Sequence, residues 1–287
     1  MPVHEQNFPR PLSTVAIFGP GLIGGSIALA LQKRRPDWSL RLWARSEASA
    51  ARTRGQFPQV STDAAATARD ADLCVLCTPL GAMPELARQI APHLCEGASV
   101  TDAGSVKGPV VTQLEAILGP RFIGAHPMAG SEKAGLEAAR ADLYEKAVCI
   151  LTPTPQSDAS ALNHVHAFWE TLGCRTLTLS PADHDDAVGR VSHLPHAVAA
   201  ALVNAITRHS KAPLALAGGG YRDSTRIAAS QPAMWSEILL SNKAALLAGL
   251  QDLSDSLDDL KTMILSEDSA ALEAFLRRAK ETRDAQP

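Results

Sequence analysis

The hexapeptide Gly19-Pro20-Gly21-Leu22-Ile23-Gly24 is the first place where residue type and spacing suggest chemistry. It has the G-x-G-x-x-G pattern of a loop that holds a pyrophosphate, a pattern that means little without its context. Here an apolar run, Thr14–Gly19, precedes it and a helical stretch, Gly24–Arg34, follows it. In that setting Gly19 permits a tight turn, Gly21 lets backbone approach phosphate, and Gly24 lets helix pack on strand. Free N–H groups at the helix start, around Leu22 and Ile23, then meet the phosphate charge. A site for NAD usually carries Asp or Glu about 20 residues further on, bound to the ribose 2′-hydroxyl. This chain reads Leu42-Trp43-Ala44-Arg45-Ser46 there, without the acid. Arg45 and Ser46 are therefore expected to hold a 2′-phosphate, which favours NADP and leaves NAD as the alternative. The competing reading makes Arg45 an ordinary solvated arginine. Thr78 and Pro79, after the apolar run Leu73–Cys77, are expected to line the same cleft.

Three later segments gather polar side chains that a purely structural role explains poorly. They are Asp102-Ala103-Gly104-Ser105-Val106-Lys107, Gly124-Ala125-His126-Pro127-Met128-Ala129-Gly130-Ser131-Glu132 and Tyr221-Arg222-Asp223-Ser224-Thr225-Arg226-Ile227-Ala228. The first two each follow an apolar strand candidate, where α/β sheets place ligand sites.

The elements that must position these residues follow from hydrophobic patterning. Thr14–Gly19, Leu40–Ala44, Leu73–Cys77, Ser99–Asp102, Phe122–Ala125 and Val148–Leu151 read as strands separated by helices. Such alternation predicts a parallel sheet covered on both faces. Beyond Leu179 the strand-like runs stop, and Ala, Leu, Ser and Asp dominate. The expected organisation is an α/β Rossmann-type nucleotide-binding domain over 1–179 and an all-helical domain over 180–287. Leu246, Leu250, Leu253, Leu257, Leu260 and Ile264 form an apolar seam of alternating four- and three-residue steps. Such a seam packs helix on helix, either within one subunit or between two.

Composition narrows the class. The 287 residues carry 27 basic and 30 acidic side chains, a formal charge of −3, and 46% are hydrophobic. Nothing there suits nucleic acid or an anionic membrane, which require a basic patch. No apolar run approaches the ~18 residues of a membrane span. Met1–Arg10 is polar with two prolines, unlike a secretory signal, and the five cysteines do not suggest a disulfide framework. The expectation is a cytoplasmic enzyme, with no further regulatory domain after the helices.

Taken together, the motifs resemble the TyrA family of prephenate, arogenate and cyclohexadienyl dehydrogenases. The resemblance runs through the glycine loop, Thr101–Lys107, His126-Pro127-Met128-Ala129-Gly130, His184-Asp185, Ser192-His193-Leu194-Pro195-His196, Thr225-Arg226-Ile227-Ala228 and Trp235. It implies oxidation of a cyclohexadienol carbon with loss of the ring carboxylate as CO₂, in tyrosine biosynthesis, by a homodimer. By the same resemblance His126 is the base that accepts the hydroxyl proton, and Ser105 positions that hydroxyl and the imidazole. An imidazole suits this task because its ordinary pKa, about 6.5, lies near working pH. Arg226 is expected to hold a substrate carboxylate with its planar fork, Asp223 to orient it, and His193 and His196 to line the cleft. Trp235 either shapes the pocket or belongs to the core. Glu132 either favours the ammonium of arogenate or gates the site through Arg226.

Other features read as structural. Cys74 and Cys77 sit three apart on a strand, so their sulfurs face opposite ways. His164 and His166 are expected at the surface. His193 and His196 have a spacing open to metal ligation, yet no matching Cys or Glu cluster accompanies them, so no metal is expected. The rival functions are another two-domain hydroxy-acid dehydrogenase and an NADP-binding regulator without turnover.

Overall fold

The computed structural model describes residues 11–131 and 133–285. Its first half runs β1 (Thr14–Phe18), α1 (Leu22–Arg34), β2 (Ser39–Trp43), α2 (Glu47–Arg54), β3 (Val60–Ser61), α3 (Ala64–Ala68) and β4 (Leu73–Leu76). It continues with α4 (Met83–Ile90), β5 (Ser99–Asp102), α5 (Gly108–Leu118), β6 (Phe122–Pro127), β7 (Val148–Thr152), α6 (Ala159–Thr171) and β8 (Arg175–Thr178). These strands form one sheet in the order β3-β2-β1-β4-β5-β6-β7-β8. Pairing is parallel throughout except between β6 and β7, which run antiparallel. The strand order reverses between β1 and β4, and ligands of open α/β sheets bind at such a switch point.

Burial explains why these segments are strands. Val15 to Phe18 and Leu73 to Leu76 are buried on both faces, as near-continuous apolar strands of a covered sheet must be. Alternate residues serve separate cores. Val15, Ile17 and Val75 pack with Ile27 and Leu31 of α1 and Phe168 and Trp169 of α6. Ala16, Phe18 and Cys74 pack with Met83 and Leu86 of α4 and Val110 and Leu114 of α5. Cys77 joins the α1 side and Cys74 the α4 side, so the two thiols are on opposite faces as expected. Burial pushes both thiols up, which keeps them unreactive.

The second half is helical: α7 (Pro181–Val188), a π-helical turn (Gly189–His193), α8 (Leu194–Ile206), α9 (Gly219–Thr225), α10 (Pro232–Ser241), α11 (Lys243–Leu265) and α12 (Ser269–Asp284). No described helix is long and apolar enough to cross a membrane. The leucine seam lies on α11; Leu246 is buried, whereas Leu257 and Ile264 are 55% and 58% exposed.

One expectation fails here. His164 is not a surface residue: it is 5% exposed, with Nδ1 2.9 Å from the hydroxyl of buried Ser99. Both histidines lie on α6, and 100° per residue swings His166 to the solvent side while His164 turns inward. His166 is exposed, 3.3 Å from Glu170.

Candidate active site

The glycine turn joins β1 to α1 at the switch point. Gly19 has φ of +105°, in the left-handed region that glycine tolerates, and a Cβ there would lie 2.7 Å from the Cys77 carbonyl. The end of β4 therefore lies directly beside the turn, bringing Thr78 with it. A Cβ on Gly24 would meet the Gly19 carbonyl at 2.2 Å. At Gly21 a Cβ would meet nothing within 4 Å, so this glycine faces open space. The first backbone bond of α1 is Gly25 N–H to the Gly21 carbonyl, which leaves the preceding N–H groups of Leu22, Ile23 and Gly24 for a ligand. An open cradle, free amides and a helix start without an acidic residue fit a dinucleotide pyrophosphate. Ser46 accepts from the Ser49 N–H as the cap of α2, and Arg45 beside it is exposed at the end of β2. The Thr78 hydroxyl is buried without a hydrogen-bond partner, and Pro79 is exposed.

Across the sheet, β6 carries His126 into a buried cluster. The base of this cluster is an ion pair: Lys107 and Asp102 are both fully buried and bonded to each other. Lys107 Nζ also donates to the Ala125 carbonyl at 2.8 Å, and Asp102 accepts from the Ala125 N–H at 3.1 Å. Both backbone groups of the residue before His126 are thereby pinned. His126 is 7% exposed, and its Nδ1 lies 2.9 Å from His184 Nε2 on α7. His184 in turn lies 2.8 Å from Asp185 through Nδ1. Burial, reinforced by His184, Lys107 and His193, holds the His126 pKa well below the usual imidazole value. The ring is neutral at physiological pH, and its protonation moves to more acid pH than an unperturbed histidine implies.

The π-helical turn delivers the next histidine, in keeping with the functional placement of such turns. Gly189 opens it; a Cβ there would meet Ala245 at 2.8 Å, so glycine lets the turn seat against α11. His193 is fully buried, and Asn242 donates to its Nδ1 at 3.1 Å and to the Asp185 carbonyl at 2.7 Å. Burial lowers its pKa to about 4, and the Ser105 backbone lies close by. Its Nε2 is buried without a hydrogen-bond partner. His196, on α8, stacks on Trp235 with ring centroids 3.4 Å apart and planes 7° apart. The same tryptophan meets His193 edge-on at 6.1 Å.

The structure thus brings His126, His193, His196 and Trp235 into one continuous cluster, with Ser105 on the loop between β5 and α5. Arg226 is exposed and opens the short 3₁₀ turn Arg226–Ala229, which packs on α8. Asp223 is exposed on α9, three residues before Arg226. Glu132 lies outside the described residues. Reading by motif left the groups around the histidines without roles: His184, Asp185, Lys107, Asp102 and Asn242. Their signal is polar identity combined with burial, complete for His184, Lys107 and Asp102 and partial for Asp185, which only the fold exposes. No group of three or more described His, Cys, Asp or Glu side chains is arranged to hold a metal ion.

Comparison with known proteins agrees with this architecture. Residues 27–178 match the prephenate dehydrogenase nucleotide-binding domain, and residues 180–278 match the prephenate dehydrogenase dimerization domain. The cyclohexadienyl dehydrogenase of Zymomonas mobilis is 35% identical over 276 residues, covering 94% of both chains. The prephenate dehydrogenase of A. aeolicus, solved in complex with hydroxyphenyl propionate and NAD+, superimposes with a TM-score of 0.88 at 36% identity, covering 96% of this chain and 98% of that one. The arogenate dehydrogenase of Synechocystis has a TM-score of 0.80 at 31% identity, covering 94% of this chain and 99% of the other. Matched along nearly its whole length by such enzymes, this chain belongs to the prephenate dehydrogenase family of NAD(P)-dependent dehydrogenases.

Proposed function

We propose that this chain catalyses the oxidative decarboxylation of prephenate, arogenate or both, with hydride transfer to NADP or, with lower preference, NAD. The observation that carries the reading is His126: a buried, neutral imidazole fixed at the end of β6 and continuous with the His193–His196–Trp235 cluster. A bound nicotinamide dinucleotide supplies the hydride acceptor, and the cradle at Gly19, Gly21, Leu22, Ile23 and Gly24, with Thr78 and Pro79 beside it, holds that group. His126 Nε2 takes the proton of the substrate hydroxyl as hydride leaves the same carbon. The bond from the ring to its carboxylate then breaks, CO₂ departs, and the electron pair completes the aromatic ring. His126 returns its proton to the phenolate oxygen, which balances the reaction. Ser105 orients the hydroxyl. His193 presents an imidazole nitrogen with no other partner, and His196 and Trp235 form the apolar wall. Arg226 binds a substrate carboxylate, oriented by Asp223, and Glu132 biases the choice between the two side chains.

Exposed Arg45 beside the capped Ser46 supports NADP, because a 2′-phosphate gains a charge-assisted contact there. The half-exposed seam on α11 supports a homodimer through the helical half, with the division between halves near residues 179 and 180. Steady-state kinetics in a grid of both substrates with both cofactors tests the reading. Turnover of at least one substrate, with a lower KM for NADP than for NAD, is the expected result. Absence of turnover in all four combinations would overturn it.

A further inference from the structure

We propose that His184 and Asp185 are positioning residues that fix His126 in the tautomer with Nε2 unprotonated, through a hydrogen-bonded relay anchored on the start of α5. The inference rests on the role given to His126 above and adds two residues to it.

The relay follows from counting donors. Asp185 sits at the amino terminus of α5, where its Oδ1 accepts from the Lys107 N–H and its Oδ2 from the Gly108 N–H, each at 2.7 Å. Helix α5 has no side-chain cap from its own residues and no acid in its first turn, so Asp185 supplies both from α7. Burial works to raise the Asp185 carboxyl, but the bonds from His184, Lys107 and Gly108 outweigh it and keep it ionised. An ionised carboxylate only accepts, so His184 Nδ1–H donates to Asp185 Oδ1 at 2.8 Å. Burial lowers the His184 pKa more than Asp185 raises it, and the ring is neutral. A neutral imidazole has one N–H, so His184 Nε2 accepts. The donor facing it at 2.9 Å is therefore His126 Nδ1–H, which leaves a lone pair on His126 Nε2. Three groups in series thus decide which nitrogen of the base is bare, as second partners of a functional histidine do elsewhere. Lys107 and His193 also face His126, and both disfavour its protonated form; Lys107 and Asp102 face His184 with opposite signs.

The relay also joins the two halves of the molecule. Asp185 lies on α7 of the helical half, while Lys107 and Gly108 lie in the nucleotide-binding half. The base is therefore set only when the halves are docked.

The test uses the full-length protein. Long-range ¹H–¹⁵N spectra of the histidine-labelled wild type read each ring's tautomer directly, without substrate or cofactor. Expected are Nδ1–H at both His126 and His184 from pH 7 to 8; Nε2–H at His126 would overturn the proposal whether or not any variant folds. Asp185→Leu removes the acceptor, so nothing holds the proton on His184 Nδ1. With folding checked by circular dichroism, kcat should fall about 10²-fold or more while both KM values change little, and Nε2–H should appear at His126. Asp185→Glu should retain part of kcat. A loss confined to KM, or an Asp185→Leu enzyme within twofold of wild-type kcat, would refute the relay. Wild-type inactivity on both substrates would instead sink the functional reading, and the tautomers would still decide the relay.

Discussion

The two ends of the cleft are built in different ways. The glycine turn joins one strand to one helix, and most of what shapes it is local: φ of +105° at Gly19, the Gly19 carbonyl against Gly24 and open space at Gly21, with the Cys77 carbonyl beside Gly19 as a distant neighbour. The histidine cluster has no local logic. Its contacts join residues 58 apart between His126 and His184, 78 apart between Lys107 and Asp185, and 49 apart between His193 and Asn242. The first arrangement is set chiefly by backbone close in sequence. The second holds only while several side chains from distant elements are all present.

The sharpest way to break this contrast is to attack the foundation of the cluster. Lys107→Met leaves Asp102 buried and unpaired, and should cost about 3–5 kcal/mol of stability, read as a lower denaturation midpoint. Adding Asp102→Leu should recover a large part of that loss, since the charge then no longer needs a partner. A smaller loss is expected in the cradle. Gly24→Ala brings a Cβ against the Gly19 carbonyl, backbone that cannot give way, for a cost of about 1–3 kcal/mol together with weaker dinucleotide binding. Gly21→Ala isolates the ligand contribution: with nothing within 4 Å, its melting temperature should not move, while the KM for the dinucleotide rises. Smallest is Arg45→Ala, which should raise the KM for NADP about tenfold and leave that for NAD unchanged.

Acid stability sharpens the contrast further. Burial lowers the pKa values of His126, His184 and His193 below their unfolded values. As pH falls below about 6.5, the unfolded chain takes up protons that the folded cluster refuses, so stability falls with pH. For His193 the loss continues until about pH 4, its folded value. Replacing His193 with Asn should flatten part of that slope in equilibrium denaturation.

What was legible in the sequence follows the same division. Six strands and the glycine turn were readable because apolar runs and G-x-G-x-x-G are local patterns. Two strands escaped: β3 has only two residues, and β8 is an exposed edge without apolar alternation. The antiparallel pairing of β7 also left no local trace. His126 was found through its motif, but its environment was not: an imidazole near 6.5 was expected, and burial among His184, Lys107 and His193 lowers it. His164 was misplaced because two histidines on one helix do not announce which of them points inward. The Asp102–Lys107 pair lay in plain view within one motif, yet five residues of separation gave no sign that both side chains turn into the core.

The most direct test of the account is the pH dependence of kcat/KM for wild type and His126→Asn, measured with the better substrate and saturating cofactor. The wild-type value should stay level from pH 8 through 6.5 and decline only at more acid pH, because burial keeps the ring unprotonated. His126→Asn should be about 10²–10⁴-fold slower and lack that acid limb. A variant that keeps both the rate and the limb would show that the proton is taken elsewhere, and the assignment of the cluster as the catalytic centre would fail.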